Sequence, residues 1–131
     1  MTVVVGYIPT PEGLSALDRA MSEAAVHGLR LVVVNTGRDG NFADPVFAAP
    51  ADLDAIDEQL TAAGLEHEIR QPTAGASAAE AILEVAEEVS ASLIVIGIRR
   101  RSPVGKLWAG STSQSVLLGA GCPVLAVKAE A

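Results

Sequence analysis

The chain predicts an α/β protein, a doubly wound, five-stranded parallel sheet with helices on both faces (Rossmann-like). Three observations predict it. Runs rich in Val, Ile and Leu recur along the chain, at 2–7, 31–34, 93–97 and 123–128, and near-continuous apolar strands are the mark of a parallel sheet buried on both sides. Between the strands stand stretches whose apolar residues recur at three- and four-residue spacing, as on one face of a helix. Residues that start and stop helices separate the two kinds of segment. At 131 residues, half of them apolar, the chain is read as one domain, 1–131, able to bury about two-thirds of the surface its unfolded form exposes.

The elements follow in order. Thr2 to Tyr7 is a β-branched run, and Thr10-Pro11 supplies an N-cap residue and then Pro at the first helical position. Leu14, Leu17, Met21 and Ala24 carry that helix to His27, where Gly28 stops it. Leu31 to Val34 is the second strand. Thr36 to Ala49, with Gly37, Gly40, Asn41, Asp44 and Pro45, reads as a mobile loop with Phe42 and Phe47 available to cover something, its ordering tied to a ligand. Leu53, Ile56, Leu60 and Ala63 make an amphipathic helix ended by Gly64, and the more charged run Leu65 to Gln71 reads as an edge strand. Ser77-Ala78-Ala79-Glu80 is a capping box before Ile82, Val85, Ala86 and Val89. Leu93 to Gly97 is a buried strand, a short helix is expected from Thr112 to Leu118, and Pro123 to Lys128 is the last strand.

Charge and composition exclude several classes. The net charge of −7 argues against general nucleic-acid binding. No apolar run approaches the roughly 20 residues of a membrane span, and no basic segment with a cleavage site leads Val3-Val4-Val5, so a cytoplasmic location is expected. Cys122 stands alone, which agrees with a reducing compartment, and reads as a small apolar residue at the start of a buried strand. Neither His27 nor His67 has a Cys or carboxylate partner at ligand spacing, so no metal site is expected.

Against this acidic background, four of the nine basic residues, Arg99, Arg100, Arg101 and Lys106, fall in one loop after the strand 93–97, and no Asp or Glu occurs between Glu88 and Glu130. The loop ends in Gly110-Ser111-Thr112-Ser113 at a helix start. Small residues, hydroxyls and backbone N–H groups at a helix N-terminus suit a phosphate, although Ser111, Thr112 and Ser113 serve equally as helix caps and an Arg run equally as a solvated loop. Ligands of doubly wound sheets bind beyond the carboxyl ends of the strands where the strand order reverses. Those ends, Gly6 to Thr10, Asn35-Thr36 and Gly97 onward, are expected to meet in one crevice. Trp108 reads as a packing or interface residue.

Other motifs fail on spacing. Gly105-Lys106 is followed by Leu107 and lacks a Gly at position 100, so it is not a Walker A loop, and no Gly-x-Gly-x-x-Gly follows the first strand. No Cys–His, Ser–His–Asp or Mg²⁺-holding acidic pair stands at the strand ends.

The order of elements, the segment Gly97 to Ser111 and the closing Gly121-Cys122-Pro123-Val124-Leu125-Ala126-Val127 resemble the universal stress protein family over essentially the whole chain. The resemblance implies a fold of the adenine-nucleotide alpha-hydrolase type. ATP-binding members carry Gly, two residues, Gly, nine residues, then Gly and Ser or Thr. Here Gly97, Gly110 and Ser111 stand at the matching places and Arg100 replaces the second Gly, where it either clamps phosphate or blocks the site. Where the family often has an Asp near adenine, this chain has Ile8, leaving backbone groups of Gly6 to Ile8 and Asn35 to serve. Together the strand ends and the resemblance assign Gly6, Tyr7, Ile8, Asn35, Gly97, Arg100, Gly110, Ser111, Thr112 and Ser113 to an adenine nucleotide, ATP or AMP, which Mg²⁺ can accompany. The expected function is nucleotide-dependent stress response or regulation rather than turnover. The alternatives are a dimeric scaffold of the same fold without nucleotide, and a slow nucleotide hydrolase. A homodimer is expected through the last strand, with Val124, Leu125, Ala126 and Val127 at its interface, because no later segment covers that apolar edge. The resemblance points the same way.

Overall fold

The computed structural model describes residues 1–36, 50–71, 77–98 and 111–129. Nine elements alternate along the chain: β1 (Thr2–Tyr7), α1 (Pro11–His27), β2 (Arg30–Asn35), α2 (Pro50–Ala62), β3 (His67–Arg70), α3 (Ala78–Glu88), β4 (Leu93–Ile98), α4 (Ser111–Gly119) and β5 (Val124–Lys128). The five strands form one sheet in the order β3-β2-β1-β4-β5, and every neighbouring pair is parallel. The chain winds outward from β1 to β3, crosses back over β1, and winds the other way to β5. Keeping one hand of crossover through that reversal puts the later helices on the other face, and this is the expected doubly wound fold.

Each face has its own core. On one, Val3, Val5, Tyr7, Leu31, Val33 and Val95 meet Ala16, Leu17, Ala20 and Ala24 of α1 and Leu53, Ile56 and Leu60 of α2. On the other, Val4, Val32, Val34, Ile94 and Ile96 meet Ala79, Ile82, Val85 and Ala86 of α3 and Val116 of α4. Alternate residues of a strand point to opposite faces, so a continuous run such as Val3-Val4-Val5 feeds both cores, and all three side chains are 0% exposed. Fully burying a side chain of this size contributes about 1.5–3 kcal/mol. The central strands therefore anchor the fold.

The helix boundaries rest on the expected signals. Thr10 Oγ1 accepts from the Gly13 N–H at 3.2 Å, and Ser77 Oγ accepts from the Glu80 N–H at 3.1 Å. Gly28 ends α1 at φ 64°, ψ 39°, a left-handed conformation that costs a residue without a β-carbon little. β3 is shorter than the expected 65–71, because the Leu65 N–H donates back to the Leu60 carbonyl at 3.1 Å and belongs to the end of α2. The strand before which Cys122 stands begins at Val124 and is half-buried. Cys122 itself lies in the turn ahead of it, not in a buried strand, and burial raises its thiol pKa. The segments 37–49, with Phe42 and Phe47, and 99–110, with Arg99, Arg100, Arg101, Gly105, Lys106, Trp108 and Gly110, lie outside the described residues.

Candidate functional site

Strand register aligns the carboxyl ends. Tyr7 pairs with Asn35, Val5 with Val95 and Gly97 with Val127, so the ends of β1, β2 and β4 lie side by side at one edge of the sheet. β1 and β2 are tied beyond the ladder by the Thr36 N–H, which donates to the Tyr7 carbonyl at 3.1 Å. The strand order reverses between β1 and β4, and that is the place where doubly wound folds open a crevice.

The two glycines assigned to this edge do different work. A β-carbon at Gly97 would fall on the backbone carbonyl of Glu12, in the first turn of α1, and one at Gly6 would stand 2.6 Å from Ile82 Cδ1 of α3. Gly97 and Gly6 therefore face opposite sides of the sheet, each letting a helix come close to the edge. On the first face the start of α1 is wedged against the ends of both β1 and β4, since Gly13 likewise leaves room only for the Ile8 carbonyl. Close helix packing is thus one reason for each glycine, whatever binds beside it.

The polar residues at the edge are deeply set. Asn35 is 0% exposed and Thr36 4%, so both are built into the edge. The Tyr7 ring, 3% exposed, belongs to the core under α1 and α2. Burial, and then the negative charge of Asp52 at the start of α2, raise its phenol pKa and keep it neutral. The Tyr7 side chain thus packs in the core rather than standing open at the edge. Ile8 is half-buried, and its carbonyl accepts the Thr10 N–H at 2.8 Å.

α4 approaches from the α3 face. Its far end, Gly119 to Cys122, lines a cleft of about 410 Å³ with Ser90, Ala91 and Ile94, at the amino edge of the sheet. Nine helical residues rise about 13 Å, so the start of α4 points to the carboxyl edge. Thr112 is half-buried and Ser113 buried there. Glu12, Asp52 and Glu80 stand in the first turns of α1, α2 and α3, whereas the first turn of α4 holds no acid. Arg100 and Gly110 lie outside the described residues, as do the other cations of their loop.

One expectation is corrected. Both histidines have carboxylate partners: His27 Nε2 lies 3.3 Å from Glu23 Oε2, one helical turn back, and His67 Nε2 lies 2.6 Å from Asp57 Oδ1 on α2. The first was readable from the i, i+4 spacing. The second joins a strand to a helix ten residues earlier and needed the fold. Among the described residues, no three His, Cys, Asp or Glu side chains gather as a metal site. No described helix is long and apolar enough to cross a membrane. The influence of the Asp52 charge on Tyr7 and the wedge of Glu12 against Gly97 were also missed, since nothing in the local sequence signals them.

A parallel sheet wound both ways from a switch point between β1 and β4 defines the doubly wound α/β class. The universal stress protein family matches residues 1–128, and the chain belongs to that family. It is 40% identical over 126 residues to a universal stress protein of Mycolicibacterium smegmatis, covering 96% of each chain. Among solved structures, it is similar to a universal stress protein in complex with cAMP, at 28% identity and a TM-score of 0.71, covering 99% of this chain and 98% of the other. It is also similar to the universal stress protein from Archaeoglobus fulgidus in complex with dAMP, at 26% identity and a TM-score of 0.63, covering 98% of both.

Proposed function

We propose that this chain binds an adenine nucleotide, AMP or ATP, at the carboxyl edge beside β1 and β4, with the phosphates over the start of α4. The observation that carries this reading is the charge pattern of the helix starts. α1, α2 and α3 each offset the positive end of the helix dipole with a carboxylate of their own, and α4 does not. A helix start without an acid of its own suits an external anion. The complexes of two relatives with cAMP and dAMP support adenine as the base. The proposal extends to a cytoplasmic, homodimeric protein that responds to the nucleotide by changing shape or partners, with Mg²⁺ only as the nucleotide's companion ion.

Ile8 favours a second reading. An apolar side chain stands where the family often places a carboxylate near adenine, and its carbonyl is already engaged by Thr10. A dimeric scaffold that has lost the nucleotide fits that observation.

Mass spectrometry of whatever nucleotide co-purifies, followed by calorimetric titration with ATP and AMP, separates the two. Gly110→Val is expected to abolish binding by placing a side chain where the matching family motif brings backbone to phosphate. Ser111→Ala, which removes one hydroxyl, is expected to weaken it by about 1 kcal/mol. A folded Gly110→Val protein with parental affinity overturns this placement of the site, and a parent that binds neither nucleotide favours the scaffold. Steady phosphate release from bound ATP would instead establish a hydrolase.

A further inference from the structure

His67 stands between two acceptors. Its Nδ1 lies 2.8 Å from the Leu65 carbonyl oxygen, and its Nε2 lies 2.6 Å from Asp57 Oδ1 on α2. A neutral imidazole carries a single N–H, so one of these contacts would then set a lone pair against an oxygen. The imidazolium donates to both at once. The His67 side chain is 13% exposed, so water has little access to the ring, while Asp57 opposite it is 61% exposed and can be solvated on its outer side. The pair joins the edge strand to the helix that covers it, and α2 supplies Leu53, Ile56 and Leu60 to the core on that face.

We propose that His67 and Asp57 form a proton-operated clasp, which holds α2 against β3 while the imidazole is charged and loosens when the proton leaves.

The groups around the ring favour the charged form. From α2, Asp57 meets it, with Asp54 and Glu58 exposed on the same helix. From β2 the register partner is the apolar Leu31. On β3 itself, Glu66 precedes the ring, and the next residue, Glu68, turns to the opposite face, where Arg30 and Arg70 hold it. The Leu65 carbonyl and then Asp57 raise the His67 pKa above 6.5, outweighing the opposing effect of burial. A folded-state pKa above the unfolded one adds stability that is complete below about 6.5 and lost as pH rises through the folded value. The clasp is therefore closed in mildly acidic conditions and opens toward alkaline ones.

The test follows the His67 ring by NMR from pH 5.5 to 9 in the whole chain, with amide hydrogen exchange of Ile56 to Ala62 measured alongside and corrected for its intrinsic pH dependence. Amides of α3 serve as the internal reference. The expected result is a His67 midpoint above 6.5, with protection of α2 relative to α3 falling roughly two- to fivefold across the same midpoint. Asp57→Asn is expected to lower the midpoint and flatten that step. A His67 midpoint at or below 6.5, or α2 protection that runs unchanged through the midpoint in the parent protein, overturns the proposal. Both readouts come from the parent, so a variant that folds poorly does not protect the idea.

Discussion

The two edges of this sheet are built to opposite rules. At β3, the sequence His-Glu-Ile-Arg puts a titratable or charged side chain at every position but one. Those side chains are tied down on both faces: His67 to Asp57 of α2 on one, Glu68 to Arg30 and Arg70 on the other, with Arg70 Nη1 reaching Glu88 of α3 at 2.8 Å. At β5, Val124 to Val127 are all apolar and half-buried. The Pro123 carbonyl accepts the Ile94 N–H at 3.0 Å. Because N–H and C=O of one residue point the same way in a strand, Leu125 and Val127 also face β4, while Val124 and Ala126 turn their backbone groups outward. An edge guarded by charge resists another strand, and an apolar edge strand invites one. The comparison teaches that one sheet can carry charged, paired side chains along one edge strand and apolar ones along the other, and the proposed dimer rests on that difference.

The largest expected effect is at the apolar edge. Ala126→Pro removes an outward N–H without touching the β4 ladder, so the proposed dimer is expected to become a folded monomer, read by light scattering with circular dichroism unchanged. Val127→Pro also breaks the ladder to β4 and is expected to unfold that edge. A parent that is monomeric at micromolar concentration breaks the comparison outright.

Core truncations sharpen it at the next level. Leu60 is 0% exposed beneath α2, beside the guarded edge, and Leu60→Ala is expected to cost about 2–5 kcal/mol at any protein concentration. Leu125 is half-buried in the single chain. If a second copy covers β5, the penalty of Leu125→Ala in chemical denaturation grows with protein concentration. A concentration-independent penalty at both positions would make the edges equivalent.

The smallest effects lie in the ion pairs. Glu88→Gln removes one arm of the Arg70 pair, whose carboxylate is 64% exposed, and is expected to cost less than about 1 kcal/mol. pH reads the same network without mutation. Hydrogen bonding from Arg70, and then from Arg30, lowers the Glu68 pKa below 4.5 against the opposing effect of burial. Its contribution is complete above about 4.5 and lost as pH falls through the folded value, while that of His67 is lost as pH rises through its own. Exchange protection at β3 is thus expected to peak between the two, and at Val124 to Val127, where nothing titrates, to show no such peak.

Local chemistry made much of the fold legible. The Thr10 and Ser77 caps and the stop at Gly28 act within a few residues of themselves and stand where the sequence placed them, and the charged edge strand stands within its expected span. The candidate site was legible to the level of the strand ends and no further. Gly6 and Gly97 both end apolar strands, but which side of the sheet each faces depends on the register of β1 against β4, Val5 beside Val95. A period of two sets the phase within one strand and says nothing of the phase between two.

What the sequence by itself determined is the succession of strands and helices, because apolar periodicity and capping are short-range effects of the chain on itself. It also determined the family, which the motif from Gly97 to Ser111 and the closing segment carry. The tertiary structure alone decided which charges meet: Asp57 with His67 and Glu88 with Arg70. Hydrogen bonds form only at contact distance and exposed charges are screened over roughly 10 Å, and residues far apart along the chain come that close only once both cores are packed.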